Sequence, residues 1–294
     1  MAANTRDIRR RIKSVKNTSQ ITKAMQMVAA AKMRKAQNAA IAGRAYAEQL
    51  RKVFASLADK QEEGSHPLLE SREVKKELVV VISTDKGLCG ALNTNLFREV
   101  AKFDPDKTIF VVVGKKAMQY LTRSNRKVIA EFLLKENFNF LEAKQVSKFC
   151  MDKFNEGEVD RVTVAFTDFV NTLTQVPRTR VILPITNFEV ADVLSSADKQ
   201  VAAPVATNST EYLFEPSANE VLNAVLPHYV HFQVFQMVLD SRASEHSARM
   251  VAMKNATDNA KQLIKDLTLE YNKIRQASIT TEILEISTAQ AALG

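Results

Sequence analysis

Glycine and proline are scarce in this 294-residue chain, with seven of each. That is about 2% apiece, against typical usage of roughly 7% and 5%, so few loops and long helices are expected. Residues 1–42 contain neither, and residues 228–293 contain neither. At about 1.5 Å per residue the second stretch alone would make a helix of roughly 100 Å, longer than a compact domain is wide. One long piece is therefore expected to project. Only two cysteines occur, Cys89 and Cys150, without CxxC or metal-ligand spacing; they read as small buried hydrophobes in a reducing compartment. Long hydrophobic runs are also missing. Nothing approaches the 18 or so apolar residues that span a bilayer, which predicts a soluble or peripheral protein.

Acidic residues are nearly absent from the start of the chain. Residues 1–60 carry 14 Lys/Arg against 3 Asp/Glu, a net of +11 in a chain whose total is +8. Such a segment suits nucleic acid, anionic lipid or an acidic protein surface, and charge alone does not choose. An Arg-rich, acid-poor beginning also resembles an organelle transit peptide, but its helical periodicity runs on without a small-residue cleavage pattern and reads as mature structure.

What is present is helix at both ends and alternation in the middle. Ile8, Ile12, Val15, Ile21, Met25 and Val28 have helical spacing, interrupted once at "KNTSQ", and an alanine-rich continuation keeps the helix thin to about Leu57. Apolar runs at residues 77–83, 108–114, 127–133, 160–169 and 179–185 alternate with amphipathic stretches. Continuously apolar strands interleaved with helices predict a parallel α/β sheet covered on both faces. Residues 191–214, small and polar, read as a linker or foot. From about residue 215 the pattern is helical again, with a seam through Met253, Ala256, Ala260, Leu263, Leu267, Tyr271 and Ile274. The predicted architecture is α/β: an antiparallel coiled coil of the terminal helices, 1–60 and 215–294, with a Rossmann-like domain inserted at 74–190.

Candidate chemistry is thin. "STDKGLCGALNTN" follows the first strand with Gly87 and Gly90, but a Walker loop needs G-x-x-x-x-G-K-[ST] and a dinucleotide loop G-x-G-x-x-G; neither spacing occurs. The two glycines read as a strand-to-helix turn needing positive φ, with anion binding at the helix start as the alternative. His228 and His231 are spaced i, i+3 without a third ligand. No cofactor, metal or catalytic residue is assigned. A basic coiled-coil nucleic-acid binder is the second reading, weakened by the Ala/Met stripe, which suits protein packing better than groove readout.

At "IKSVKNTSQITKAMQMVAAAKMRKAQ", "STDKGLCGALNTN" and "MVAMKNATDNAKQLIKDLTLEYNKIRQASITTEILEI" the chain resembles the γ subunits of bacterial F-type ATP synthases, and the resemblance covers essentially its whole length. It implies a non-catalytic central-stalk rotor, its coiled coil inside a hexamer of α and β subunits and its α/β domain beside the ε subunit and the membrane c-ring. It implies peripheral placement on the cytoplasmic face of the bacterial inner membrane through the complex, coupling to proton or sodium-ion flow, and no nucleic-acid partner. Motif by motif, Lys23, Met25, Lys32, Arg34 and Lys35 would face acidic β-subunit loops; Arg249, Gln276, Thr280 and Glu282 would form β-subunit coupling contacts; Tyr212 and Glu215 would be the foot on the c-ring. Two departures stand out. "EISTAQAAL" replaces the glycine-containing "EIVSGA" of many relatives, which favours a continuous helical tip, and the closely spaced cysteines of chloroplast relatives are absent, so no thiol switch is expected.

Overall fold

The computed structural model describes residues 2–58, 66–135, 138–185, 215 and 217–293. It divides into two compact units, Met1–Ala29 with Met250–Gly294, and Ala30–Arg249. Helix α1 (Ala2–Ala58) and helix α5 (Ala218–Leu293) contribute to both. The expected linker or foot at 191–214, with Tyr212, lies outside the described residues.

The first unit is a pair of helices. Arg9 Nη2 donates to Tyr271 Oη at 2.7 Å, and the hydroxyls of Thr22 and Thr257 lie 2.7 Å apart. As α1 advances α5 recedes, so the pair is antiparallel. The interruption expected at "KNTSQ" does not occur, and α1 passes straight through. Its hydroxyls bond inside the helix, Thr18 to Ser14 O and Thr22 to Ser19 O, so they do not draw the backbone out of it.

The seams differ from the expected ones. In α1, Ile8, Thr22 and Ala29 are buried and Ile12, Val15, Ser19 and Gln26 half-buried, a regular 4,3 heptad; Ile21 and Val28 are exposed. In α5 the stripe runs through Met253, Thr257, Ala260, Ile264, Leu267, Tyr271 and Ile274, while Leu263 is exposed and Ala256 is off the stripe. Reading apolar residues alone missed the polar members. A threonine enters a seam when its hydroxyl is satisfied: Thr22 and Thr257 have one hydrogen each and Ser19 O, Met253 O and each other within reach, so one donates across the seam and the other to its own helix.

The second unit is built on a five-stranded sheet of order β3-β2-β1-β4-β5, with β1 at Glu77–Ile82, β2 at Thr108–Val113, β3 at Val128–Phe132, β4 at Arg161–Phe169 and β5 at Gln175–Leu183. Val79, Val81, Phe110 and Val112 pack toward α2 (Leu92–Val100) and α3 (Lys115–Arg123). Leu78, Val80, Ile82 and Val111 pack toward α4 (Phe140–Asn155) and the first part of α5. Four strands are parallel, and β5 is antiparallel to β4. This corrects the wholly parallel expectation. The turn from Phe169 to Gln175 is too short for the crossover helix that parallel pairing requires. On α1, Tyr46 meets Phe232 and His228 of α5 edge-on, with ring centroids 5.0 and 5.8 Å apart.

Candidate functional site

In doubly wound sheets the usual ligand crevice lies beyond the carboxyl ends of the strands, where the chain order reverses. Here that place is between β1 and β4, and α5 runs across it. Ser241 Oγ accepts from Thr167 N on β4, and Ser244 Oγ donates to Thr167 O. Arg242 Nη2 pairs with Asp85, just past β1, and donates to Leu134 O, just past β3. The place where sheets of this order usually hold a ligand is therefore bridged by α5, through Thr167, Asp85 and Leu134 O.

The glycine loop is held the same way. Thr84 Oγ1 donates to Lys86 O at 2.8 Å and accepts from Asn93 Nδ2 at 2.8 Å, and Asp85 Oδ1 accepts from Lys115 N. Positive φ falls on Leu88 (64°) and Gly90 (60°). Gly87, expected to need it, does not, and the exposed Leu88 takes the left-handed conformation instead, at a cost of roughly 1–2 kcal/mol. Gly114 is fixed more tightly: at φ 101° a Cβ would lie 2.3 Å from Ser83 O.

Arg249 ties this loop down. Its guanidinium donates to Gly87 O at 3.2 Å and Lys86 O at 3.3 Å and pairs with Glu245 at 2.8 Å. Glu245, its side chain 6% exposed, also pairs with Arg242 at 3.1 Å. One buried carboxylate thus bridges two arginines that grip successive residues of the loop, Asp85 and then Lys86 and Gly87. Sequence reasoning singled out Arg249 and missed Asp85, Arg242 and Glu245. The signal was present in "RASEHSAR", whose Arg, Glu and Arg fall at i, i+3 and i+7 on one helix face. Burial pushes the Cys89 thiol up, and the neighbouring Arg249 partly offsets it; Cys150, fully buried, is pushed up to about 12. His231 and His246 are buried, and burial lowers the pKa of both.

On the helix pair, the remaining candidates face outward. Lys23 is exposed and Met25 half-buried, and Ile21, Met27 and Val28 are exposed beside them. Past Ser278, Ile279, Ile283, Leu284 and Ile286 of α5 are exposed. Gln276, Thr280 and Glu282 are exposed on the same stretch; Thr280 Oγ1 donates to Gln276 O, and Ser278 Oγ to Glu282. The glycine-free end stays helical through Leu293. In the sheet unit Lys32 is half-buried and Arg34 and Lys35 are exposed; Glu215 is exposed. An exposed apolar stripe of this extent is an interaction surface. Among the described residues no helix is long and apolar enough to cross a membrane.

A helical hairpin of the two chain ends, with a mixed five-stranded sheet domain inserted between them in sequence, defines an α/β protein with a terminal antiparallel helix pair. The model of the ATP synthase family matches residues 4–293. The ATP synthase gamma chain of Methylacidiphilum infernorum is 51% identical over 297 residues, covering 99% of this chain and all of the relative. That of Opitutus terrae is 51% identical over 292 residues, with 99% of each chain covered. The chain belongs to the ATP synthase gamma-chain family. Its fold is shared by a chain of the Euglena gracilis mitochondrial ATP synthase (TM-score 0.68, 20% identity, 100% of this chain and 95% of that one). It is shared too by one from the central stalk and c-ring of the Tetrahymena thermophila enzyme (TM-score 0.60, 25% identity, 80% and 99%).

Proposed function

We propose that this chain, the central-stalk subunit of an ATP synthase, acts as a turning shaft with no reacting group of its own. The observation that carries the reading is the exposed apolar stripe on the helix pair and on α5 beyond Ser278. A ring of α and β subunits around that stripe would bury it, at roughly 1.5–3 kcal/mol per large side chain. Lys23, Met25, Lys32, Arg34, Arg249, Gln276, Thr280 and Glu282 are proposed to mediate coupling to β subunits. Arg249 would do so indirectly, by fixing the loop at Lys86 and Gly87, since its guanidinium is already engaged there. Tyr212 and Glu215 are proposed as the foot on the c-ring, with the ε subunit beside the sheet domain. The complex would place the chain peripherally on the cytoplasmic face of the bacterial inner membrane.

Coupling then needs only different contact energies with each β subunit as the shaft turns, which shift each nucleotide site among its conformations. Ion flow through the membrane sector would drive synthesis, and hydrolysis would drive the reverse. Co-expression with the α and β subunits of the same organism tests this. A complex with one copy of the chain per hexamer, whose ATP hydrolysis falls when residues 249–294 are removed, is the expected result. Folded α and β that fail to recruit the chain would overturn it.

A further inference from the structure

A cavity of about 400 Å³ lies in the sheet unit between α4, the start of α5 and the 3-10 turn Pro67–Leu69, and the shaft reading makes no use of it. Leu68, Met151 and Pro227 give it an apolar floor. Along α4, Lys144 and Lys148 line one half, and Asp152 and Asn155 follow toward the other. Neither lysine has an ion-pair partner among the described residues.

His231 faces the same space. It is only 6% exposed, its Nδ1 lies 2.7 Å from the buried Ser147 Oγ, and its Nε2 has no partner among the described residues. That nitrogen is open to the cavity and can hydrogen-bond to whatever enters it. Burial, with Lys144, His228 and Lys148 nearby, lowers the His231 pKa to about 4, so the ring is neutral at pH 7 and sits beside two exposed lysines. His66, on the opposite wall, already uses its Nδ1 to accept from Leu68 N.

We propose that this cavity binds a small amphiphilic anion, a phosphate or carboxylate head on a short apolar stem. The head sits between Lys144, Lys148 and His231 Nε2–H, away from Asp152, and the stem lies on Leu68 and Met151. Ser147 sets the tautomer. Its single hydroxyl hydrogen is within reach of Ala143 O, Lys144 O and His231 Nδ1; when it turns to Nδ1, the ring proton is on Nε2 and available to the anion. The apolar floor is what separates this ligand from a bare inorganic ion.

The full-length chain, labelled with ¹⁵N histidine, is titrated with butyl phosphate, with inorganic phosphate and butanol as separate arms. The four histidines (His66, His228, His231 and His246) serve as internal controls for one another. Butyl phosphate is expected to move the His231 resonances saturably and raise its pKa, inorganic phosphate to bind more weakly, and butanol not to reproduce the shift. Lys144→Gln with Lys148→Gln should weaken butyl phosphate at least about tenfold, as loss of charge-assisted hydrogen bonds does. Ser147→Ala should alter the Nδ1/Nε2 proton distribution of the free chain. Lys148→Gln alone is the fallback if the double variant misfolds. An unmoved His231, or the same affinity in the lysine variants, would overturn the site. Equal binding of inorganic phosphate would overturn the stem.

Discussion

Helix α5 has two regions that invert the usual relation between polarity and burial. Between Leu222 and Ser247 it is largely buried although it carries Gln233, Asp240, Ser241, Ser244, Glu245 and His246. Beyond Arg249 it carries Leu263, Leu269, Ile279, Ile283, Leu284 and Ile286, and all six are exposed. In the first region polar groups are used up inside the sheet unit, with Ser241 and Ser244 on β4 and Glu245 between two arginines. In the second, apolar groups are left uncovered by the described residues. Burial follows from whether a partner is available, and hydropathy alone does not report it.

The contrast can be broken from either side. The largest effect is expected from Glu245→Ala, which leaves Arg242 and Arg249 facing each other without their shared carboxylate. A loss of about 3–5 kcal/mol is expected from urea denaturation of the full chain, with Glu245→Gln milder because its oxygen still accepts. A loss under about 1 kcal/mol would mean that the clamp is ornamental. Leu267→Ala, in the seam of the helix pair, should cost about 2–3 kcal/mol; Leu269→Ala, two residues on and exposed, should cost almost nothing in the same assay. Thr22→Val should cost about 1 kcal/mol by orphaning one side of the Thr22–Thr257 contact, and adding Thr257→Val should recover most of it, as replacing both partners of a hydrogen bond does. Ile283→Ser should change stability by less than about 0.5 kcal/mol yet lower ATP turnover of the assembled complex. Unchanged turnover would remove the exposed tip from the coupling surface.

Much of this was legible in the sequence. The scarcity of glycine and proline located most of both long helices, although α1 runs through Gly43 and α5 through Pro227, and four largely apolar runs located the parallel strands. The fifth strand was read as one more parallel member because apolar content does not report direction; the short turn between Phe169 and Gln175 did. The seams were misplaced where a threonine replaced an apolar residue, at Thr22 and Thr257, because an apolar count skips a hydroxyl that is satisfied locally. The clamp around Glu245 was missed for a different reason. The spacing of its charges is also that of an ordinary solvated helix face, and only the long-range partners Asp85 and Gly87 O, more than 150 residues away in sequence, bring them inside.

The most direct test of the shaft account is to watch the chain turn. Both native cysteines are buried, so Leu173→Cys, on a hairpin tip and 81% exposed in the parent chain, gives a selective attachment point for a bead. The hexamer is fixed to a surface and ATP is added. The account predicts stepwise, unidirectional rotation of the bead whose rate follows ATP turnover. A bead that stays still while the same complexes hydrolyse ATP would contradict it.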